Sequence, residues 1–242
     1  MVERGDPLRF RAVMAAPVAA RRVLFPLYAF NVEVARAPWV TQEPMIAEMR
    51  LQWWRDVCEE IDKGGPVRRH EVATPLAQVI SPADANLLDE LVAARRWDIY
   101  KDPFEDAAHF VDYLNKTSGH LTWVAARSLG AADETVVRDA AFAAGVATWL
   151  RAIPELEAKG RIPLLDGTAG GVKTLAADAF ARLQKARKSR ASVSKAARAA
   201  LLHVGQAEST LKAAMADPAR VADGRLPDVA AQDQLRLAVR SL

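Results

Sequence analysis

The densest group of carboxylates in the sequence comprises Asp56, Glu59, Glu60 and Asp62. Carboxylate oxygens are the protein ligands that Mg²⁺ prefers, usually together with substrate phosphates. This group, however, falls at the predicted end of a helix, directly before a Gly-Gly-Pro sequence, where acidic side chains face water. We therefore interpret it as a solvated helix terminus rather than as a metal site.

Other common catalytic centres lack the residues that they need. A zinc site requires Cys and His at ligand spacing, whereas the four histidines are scattered and Cys58 is the only cysteine. No serine lies in a Gly-x-Ser-x-Gly elbow, and Ser118 and His120 would point in different directions on a helix. Residues 167–171 are glycine-rich but lack the Lys-Ser/Thr ending of a phosphate-binding loop. The local motifs therefore do not predict zinc, acyl-transfer or nucleotide chemistry.

The elements that position any site are predicted to be helices. Ala, Leu, Arg and Glu dominate the sequence, and most of these are good helix formers. The alternating Val, Ile, Thr and aromatic residues that are typical of strands are nearly absent. Residues 133–152 are apolar over most of a helical circumference, which predicts a central helix. We predict an all-α fold in which residues 1–242 form a single domain.

Proline pairs indicate several helix boundaries. Asp6-Pro7 and Asp102-Pro103 each fit an N-cap followed by proline at the first helical position. Pro26 predicts a kink or a restart within a long helix. The Ala-rich residues 173–216 predict two helices hinged around Ser189–Ser194 and packed less tightly than the rest. A last amphipathic piece is predicted over Gln232–Leu242.

Composition limits the partners and the compartment. The net charge is only +3 at a pI near 9.1, and no Lys/Arg-rich run is interleaved with aromatic residues. Binding to nucleic acid is therefore not predicted, and we interpret the basic cluster Lys185–Arg190 as a solvated helix end. A single cysteine excludes an intramolecular disulfide framework, which suits a reducing compartment.

Targeting signals are weak. No apolar run reaches the roughly 18 residues of a transmembrane helix, and the N-terminus has no compact apolar segment of the secretory type. It is Arg-rich, but Glu3 and Asp6 argue against a transit peptide. The high Ala and Arg content favours a bacterial cytoplasm, with peripheral contact to the inner membrane or a mitochondrial matrix location left as alternatives.

Three segments occur in an order and at separations that resemble the squalene/phytoene synthase family: Leu27–Asp56, Arg95–Leu121 and Leu150–Leu165. In the middle segment, Asp98 and Tyr113 stand where the family has an acidic and an aromatic residue. The resemblance covers about residues 6–165, and residues 166–242 are divergent, with shortened C-terminal helices. It implies an isoprenoid-synthase-like helical bundle around a central apolar cavity.

Active members of that family join two prenyl diphosphates head to head, and two aspartate-rich motifs hold the Mg²⁺ ions that grip the diphosphates. In the first motif, Tyr28 matches and Asn31 replaces a cysteine, whereas the three acidic positions are occupied by Ala35, Arg36 and Trp39. In the second motif the matching residues are Leu150, Arg151, Glu155, Gly160 and Arg161. The two aspartates of that motif are replaced by Ala152 and Leu156.

These replacements oppose metal binding. Two unit charges about 4 Å apart interact by roughly 4 kcal/mol at an effective dielectric constant of 20, so Arg36 would repel a cation that an aspartate would attract. Glu33 and Glu155 are the main carboxylates left near the motifs. The resemblance therefore implies no resident metal or cofactor and no catalytic residue. It points to a non-catalytic branch of the family that includes an assembly factor for respiratory complex I.

The resemblance also suggests residues that could contact a ligand without a metal. An isoprenoid diphosphate or lipid in the cavity would meet arginines, which bind phosphate in a bidentate manner. The candidates are Tyr28, Asn31, Glu33, Arg50, Arg55, Tyr113, Arg151, Glu155 and Arg161. The alternative for the arginines is ion pairing with Glu33, Glu48 or Glu155.

Three functional hypotheses follow. The first is a non-catalytic protein that binds a respiratory-complex protein or an isoprenoid lipid. The second is a divergent Mg²⁺-dependent prenyltransferase in which displaced carboxylates such as Asp56 or Asp98 complete a metal site. The third is an unrelated helical scaffold at a membrane surface.

Overall fold

The computed structural model describes residues 1–227, and these contain helices but no β-strand. The α-helices are α1 (Val2–Gly5), α2 (Pro7–Ala15), α3 (Val18–Arg36), α4 (Pro44–Asp62), α5 (Ala73–Ala77), α6 (Pro82–Ala94), α7 (Ala107–Leu114), α8 (His120–Arg127), α9 (Glu134–Ala158), α10 (Ala169–Lys188), α11 (Ala207–Ala216) and α12 (Ala219–Ala222). The 3₁₀ segments are Ala37–Trp39, Arg95–Asp98, Arg190–Ser192 and Ala197–Gln206, and residues Asn115–Gly119 form a π-helical turn. The predicted piece Gln232–Leu242 lies outside the described residues.

The long helix α9 lies at the centre, as its sequence predicts. It packs against α8, α10, α11 and α12 and against the π-helical turn. Ala141, Phe142 and Ala143 follow one another in the chain, so their side chains point to different sides of the helix. All three are buried, because neighbours surround the helix on most of its circumference. The all-α prediction is confirmed, and α9 is the element that carries the second motif.

The first motif lies at the end of α3. This helix does not restart at Pro26 but continues through it. A proline inside a helix removes one backbone hydrogen bond, and the burial of Leu24, Leu27 and Phe30 on the same helix offsets that cost. The cap of the preceding helix is as predicted, since the Asp6 carboxylate accepts a hydrogen bond from the Arg9 backbone N–H at 3.0 Å.

Two sequence predictions were wrong, one about a helix start and one about packing. Asp102-Pro103 does not cap a helix. Instead α7 begins at Ala107, and its N-cap is Asp106, whose side chain accepts a hydrogen bond from the His109 backbone N–H at 2.8 Å.

The C-terminal third is also not loosely packed over its described residues. Ala176 and Ala179 on α10 and Leu211 on α11 are fully buried, because α10 packs against both α9 and α11.

The predicted break between the two C-terminal helices is present, with the chain leaving α10 at Lys188 and passing through 3₁₀ segments to α11. Within the described residues, no helix is both long enough and apolar enough to cross a membrane.

Candidate functional site

The two degenerate motifs face each other across one cavity of about 510 Å³. Ala35 and Arg36, from the last turn of α3, and Trp39, from the following 3₁₀ segment, line one side. Ala152 and Leu156, from the last turns of α9, line the other. The structure therefore places the five substituted positions around a single cavity, although they are far apart in sequence.

A glycine turn at the end of α9 directs the second motif into the protein. Gly160 has a positive φ of 76°, a conformation that glycine adopts without steric cost. Its N–H donates to the Glu157 carbonyl at 2.8 Å, and the Arg161 N–H donates to the Leu156 carbonyl at 3.0 Å. This is the Schellman pattern of helix termination. After this turn the Arg161 side chain is buried and lies against Trp39, which lines the cavity.

Two cations pack against Trp39 at the mouth. Lys159 Nζ lies 4.4 Å from the centroid of the Trp39 ring, and the Arg161 guanidinium lies 5.6 Å from it. Arg161 also lies 4.5 Å above the Trp97 ring, and its Nη2 donates to the Trp97 carbonyl at 3.0 Å. Burial lowers the pKa of Arg161 from its ordinary value. Cation–π contacts thus fill the region around a position where the family has an acid.

The two remaining motif carboxylates each have a basic partner. Glu155 pairs with Lys159 at 2.6 Å, and Glu33 pairs with Arg36 at 3.7 Å. Over residues 1–227, no group of three or more His, Cys, Asp or Glu side chains is arranged to hold a metal ion. Since a multi-metal cluster needs several anchoring carboxylates, the donor set does not fit the Mg²⁺ ions that the fold family implies.

A buried polar network forms another part of the cavity wall. The Tyr113 hydroxyl donates to Asp98 Oδ1 at 2.9 Å, and Arg95 Nη1 donates to the Tyr113 oxygen at 2.9 Å and to Asp98 Oδ2 at 3.1 Å. Burial raises the pKa of the Tyr113 phenol, which stays protonated. Burial alone would lower the pKa of Arg95, but Tyr113 and Asp98 outweigh it and raise that pKa. Asp98 is therefore committed to this network.

A second network includes two wall residues that sequence reasoning missed as site residues. Arg9 Nη1 pairs with Asp6 Oδ2 at 2.6 Å, and both residues line the cavity. Burial opposes ionisation of Asp6, but the charge and hydrogen bonds of Arg9 hold its pKa below the ordinary value. The Arg9 guanidinium also lies 5.5 Å from the Tyr28 ring centroid. The only sequence signal here was the Asp6-Pro7 cap, which predicts a helix start and not a cavity wall.

Two aromatic side chains lie behind that pair. Burial raises the pKa of Tyr28 to about 12. Burial also lowers the pKa of His203 to about 3, and the charge of Arg9 contributes to the same shift. The two rings meet edge to face, with centroids 6.3 Å apart. Both groups are therefore neutral near pH 7.

The candidate ligand residues do not form one group. Asn31, Tyr113 and Glu155 line the cavity, and Arg161 and Glu33 lie beside residues of its mouth. Tyr28, Arg50, Arg55 and Arg151 do not line it.

Of the three arginines that do not line the cavity, Arg55 and Arg151 have partners elsewhere and Arg50 is exposed. Arg55 binds Asp89 in a bidentate manner, at 2.8 and 2.9 Å, between α4 and α6. Arg151 Nη1 donates to Thr210 Oγ1 at 3.2 Å, and Arg50 is exposed on α4. The predicted alternative, ion pairing of these arginines with Glu33, Glu48 or Glu155, is also corrected for Glu48. It pairs instead with Arg96 at 2.8 Å.

The acidic group at the end of α4 is engaged by basic side chains away from the cavity. Arg68 Nη2 lies 2.6 Å from Glu60 and 3.6 Å from Asp56, and Lys63 pairs with Glu59. Hydrogen bonds from Arg68 lower the pKa of Glu60. These contacts agree with the interpretation of a solvated helix terminus.

Comparison with known proteins identifies relatives of this chain. A model of the squalene/phytoene synthase family matches residues 2–164. The chain is 32% identical over 167 residues to the Drosophila melanogaster homolog of NADH dehydrogenase (ubiquinone) complex I, assembly factor 6, covering 64% of this chain and 49% of that protein. It is 25% identical over 159 residues to the human assembly factor 6, covering 64% of this chain and 47% of that protein. The chain spans about half the length of these curated relatives.

The fold is also similar to a solved structure. A crystal structure of a dehydrosqualene synthase in complex with ligand superposes with a TM-score of 0.72. The match covers 99% of this chain and 92% of that chain at 15% sequence identity. It shows likeness of fold, and it extends beyond the segment that the family model matches.

Proposed function

Because this chain belongs to the squalene/phytoene synthase family, we propose that it is a non-catalytic member that uses the family's helical bundle to bind a protein during assembly of respiratory complex I. The observation that carries the non-catalytic part is the cavity wall. Both motif segments reach one cavity, and their acidic positions hold Ala35, Arg36, Trp39, Ala152 and Leu156. The names of the curated relatives support the assembly role.

The chemistry of the wall explains why prenyl coupling is not the proposed activity. Ionisation of a prenyl diphosphate needs metal charge to stabilise the leaving diphosphate. Each carboxylate of the wall is paired: Asp6 with Arg9, Asp98 with Arg95, and Glu155 with Lys159. A metal would have to break these pairs, and the substituted positions offer it no replacement ligand.

The divergent prenyltransferase is the less supported alternative. Of the displaced carboxylates that could complete a metal site, Asp56 lies away from the cavity beside Arg68, and Asp98 is held by Tyr113 and Arg95. These two carboxylates do not share a site. No resident metal or cofactor is therefore part of the proposal.

A metal-independent lipid site is a second candidate function. Val32, Leu114, Leu121 and Trp149 give the cavity an apolar wall, and the cations at the mouth could contact an anionic head group. The ligand class would be an isoprenoid diphosphate or a related lipid. This role is compatible with protein binding, because a ligand inside the bundle would leave its outer surface free.

The compartment follows the proposed partner. Complex I assembly takes place at a bacterial inner membrane or in mitochondria, and the Ala- and Arg-rich composition favours the bacterial case. We propose that the protein works at the cytoplasmic side of that membrane.

Rescue of complex I assembly tests the proposal. Deleting the gene in its native host should lower the amount of assembled, active NADH dehydrogenase on native gels, and the wild-type chain should restore it. The Glu33→Gln/Glu155→Gln variant removes the last motif carboxylates and should restore it to within about twofold, because the proposed role uses no metal and each glutamate pairs with an exposed cation, an interaction that contributes little to stability. The matched control is Glu59→Gln/Glu157→Gln, which changes two exposed glutamates that do not line the cavity.

Two results would contradict the proposal. Unchanged complex I in the deletion strain would exclude the assembly role. Rescue by the control pair but not by the Glu33/Glu155 pair would show that the motif carboxylates are needed.

A further inference from the structure

The first two turns of α4 expose an apolar face. Met45 is 76% exposed, Met49 is 67% exposed and Ile46 is 39% exposed. Met45 and Met49 are four residues apart, so they are neighbours on one side of the helix. Ala47 and Leu51 on the opposite side are buried. We call Met45, Ile46 and Met49 the α4 patch.

The α4 patch has no part in the cavity, since none of its residues lines it. Contiguous exposed apolar groups are typical of interaction surfaces. Methionine is also suited to such surfaces, because its flexible and polarisable side chain adapts to a partner. The α4 patch is therefore a candidate binding surface.

Charges of opposite sign flank the patch along one edge. Glu43 precedes the helix and Arg50 lies two turns further on, which places both on the same edge about 10 Å apart. Both side chains are exposed, and neither forms an ion pair with another described residue. Glu43 occupies the N-cap position but makes no side-chain cap hydrogen bond, so its carboxylate is available.

The other edge is already neutralised. Glu48 pairs with Arg96 at 2.8 Å and accepts a hydrogen bond from the Tyr100 hydroxyl at 3.1 Å. Tyr100 is itself exposed and enlarges the apolar surface on that side.

We propose that the α4 patch binds the same patch of a second copy of this chain, with the two α4 helices antiparallel about a two-fold axis. The axis would pass near residues 46 and 47, so that Met45 meets Met49 of the second copy. The same operation places Arg50 opposite Glu43 of the second copy, and symmetry repeats the pair. This inference does not depend on the proposed function.

The charge pattern favours a second copy over a membrane. A membrane-binding face typically carries excess Lys and Arg that attract anionic lipids. The edge of the α4 patch carries one acid and one base, so it has no net charge for such attraction. It is instead complementary to itself when the helix direction is reversed.

Sedimentation velocity of the full chain from about 1 to 200 μM tests the proposal. We expect a reversible dimer whose dissociation constant rises at least about 100-fold in Met45→Asp/Met49→Asp, since charges would then face each other in the apolar centre. Met14→Asp is the matched control, because Met14 is an exposed methionine on α2. Circular dichroism confirms that each variant is folded.

A charge exchange tests the antiparallel arrangement. Glu43→Arg alone and Arg50→Glu alone should each weaken the dimer about tenfold, because like charges then meet. Glu43→Arg combined with Arg50→Glu in one chain should return to within about threefold of wild type, since both pairs form again with reversed sign.

Several outcomes would overturn the proposal. These are a monomer at every concentration, a dimer that the Met45/Met49 substitutions leave intact, and a double charge variant no better than the single ones. A monomeric chain that floats with liposomes only when Met45 and Met49 are present would assign the patch to a membrane instead.

Discussion

Replacing Asp98 with alanine is expected to lower the free energy of unfolding by about 3 kcal/mol. Removing one partner of a buried ion pair costs roughly 3–5 kcal/mol, because the other charge is left uncompensated. Asp98 is buried, whereas one fifth of the Arg95 side chain is exposed, which places the effect at the lower end. The Tyr113 hydroxyl also loses its acceptor. Chemical denaturation with wild type as reference measures the change.

Asp112→Ala is the matched control for that experiment. Asp112 forms an exposed pair with Lys116, four residues away on the same helical segment, and such pairs contribute about 0.3–0.5 kcal/mol. A loss below about 1 kcal/mol for Asp98→Ala would contradict the structural role of the network. It would also reopen the possibility that Asp98 serves a ligand.

Acidification from pH 7 to pH 4.5 is expected to cost about 3 kcal/mol of stability through His203. The pKa of this buried imidazole is about 3 in the folded protein, whereas an unfolded histidine titrates near 6.5. The unfolded state therefore binds more protons below pH 6.5, and stability falls as the pH decreases. The value pH 4.5 is two units below the pKa of the unfolded side chain, and each unit corresponds to about 1.4 kcal/mol of unfolding free energy.

The His203→Leu variant isolates this contribution. Its unfolding free energy should decline less than that of wild type between pH 7 and pH 4.5, so the stability of the variant relative to wild type should rise as the pH falls. Burial lowers the pKa of His120 as well, so a smaller decline in the same direction should persist in the variant. Parallel curves for the two proteins would show that His203 is not the buried neutral group described above.

Sequence patterns predicted the parts of the fold that depend on local periodicity. The apolar circumference of residues 133–152 predicted a central helix, and α9 is central. The family resemblance predicted a helical bundle around a central cavity, and the motif positions near Tyr28 and Leu150 line one cavity. The first signal is the periodicity of one helical segment, whereas the second is the family resemblance of separate segments.

Local sequence signals predicted a wrong helix start where tertiary packing determines the backbone conformation. Asp6-Pro7 and Asp102-Pro103 carry the same cap pattern, but only the first begins a helix. After Pro103, Phe104 is buried and stacks on Trp97 with ring centroids 4.0 Å apart. No helix forms at Phe104 beside this contact, and α7 begins only after Asp106 provides a cap. No property of residues 102 and 103 alone distinguishes the two cases.

The partners of the charged residues could also not be predicted from the sequence. The family resemblance suggested Arg55 and Arg151 as candidates for a ligand, but their partners Asp89 and Thr210 belong to other helices. Similarly, Arg9 and Arg95 reach the cavity only because the helices that carry them meet there. Contacts between residues distant in the chain depend on the assembled bundle.

Calorimetric titration of the full chain with farnesyl diphosphate, with and without Mg²⁺, tests the central claim that this member is non-catalytic. The mixtures are then assayed for coupled prenyl product. We expect no Mg²⁺-dependent binding and no product. Binding that is equal with and without Mg²⁺ would add a lipid site to the proposed assembly role. Mg²⁺-dependent binding together with coupled product would show instead that the protein is a prenyltransferase.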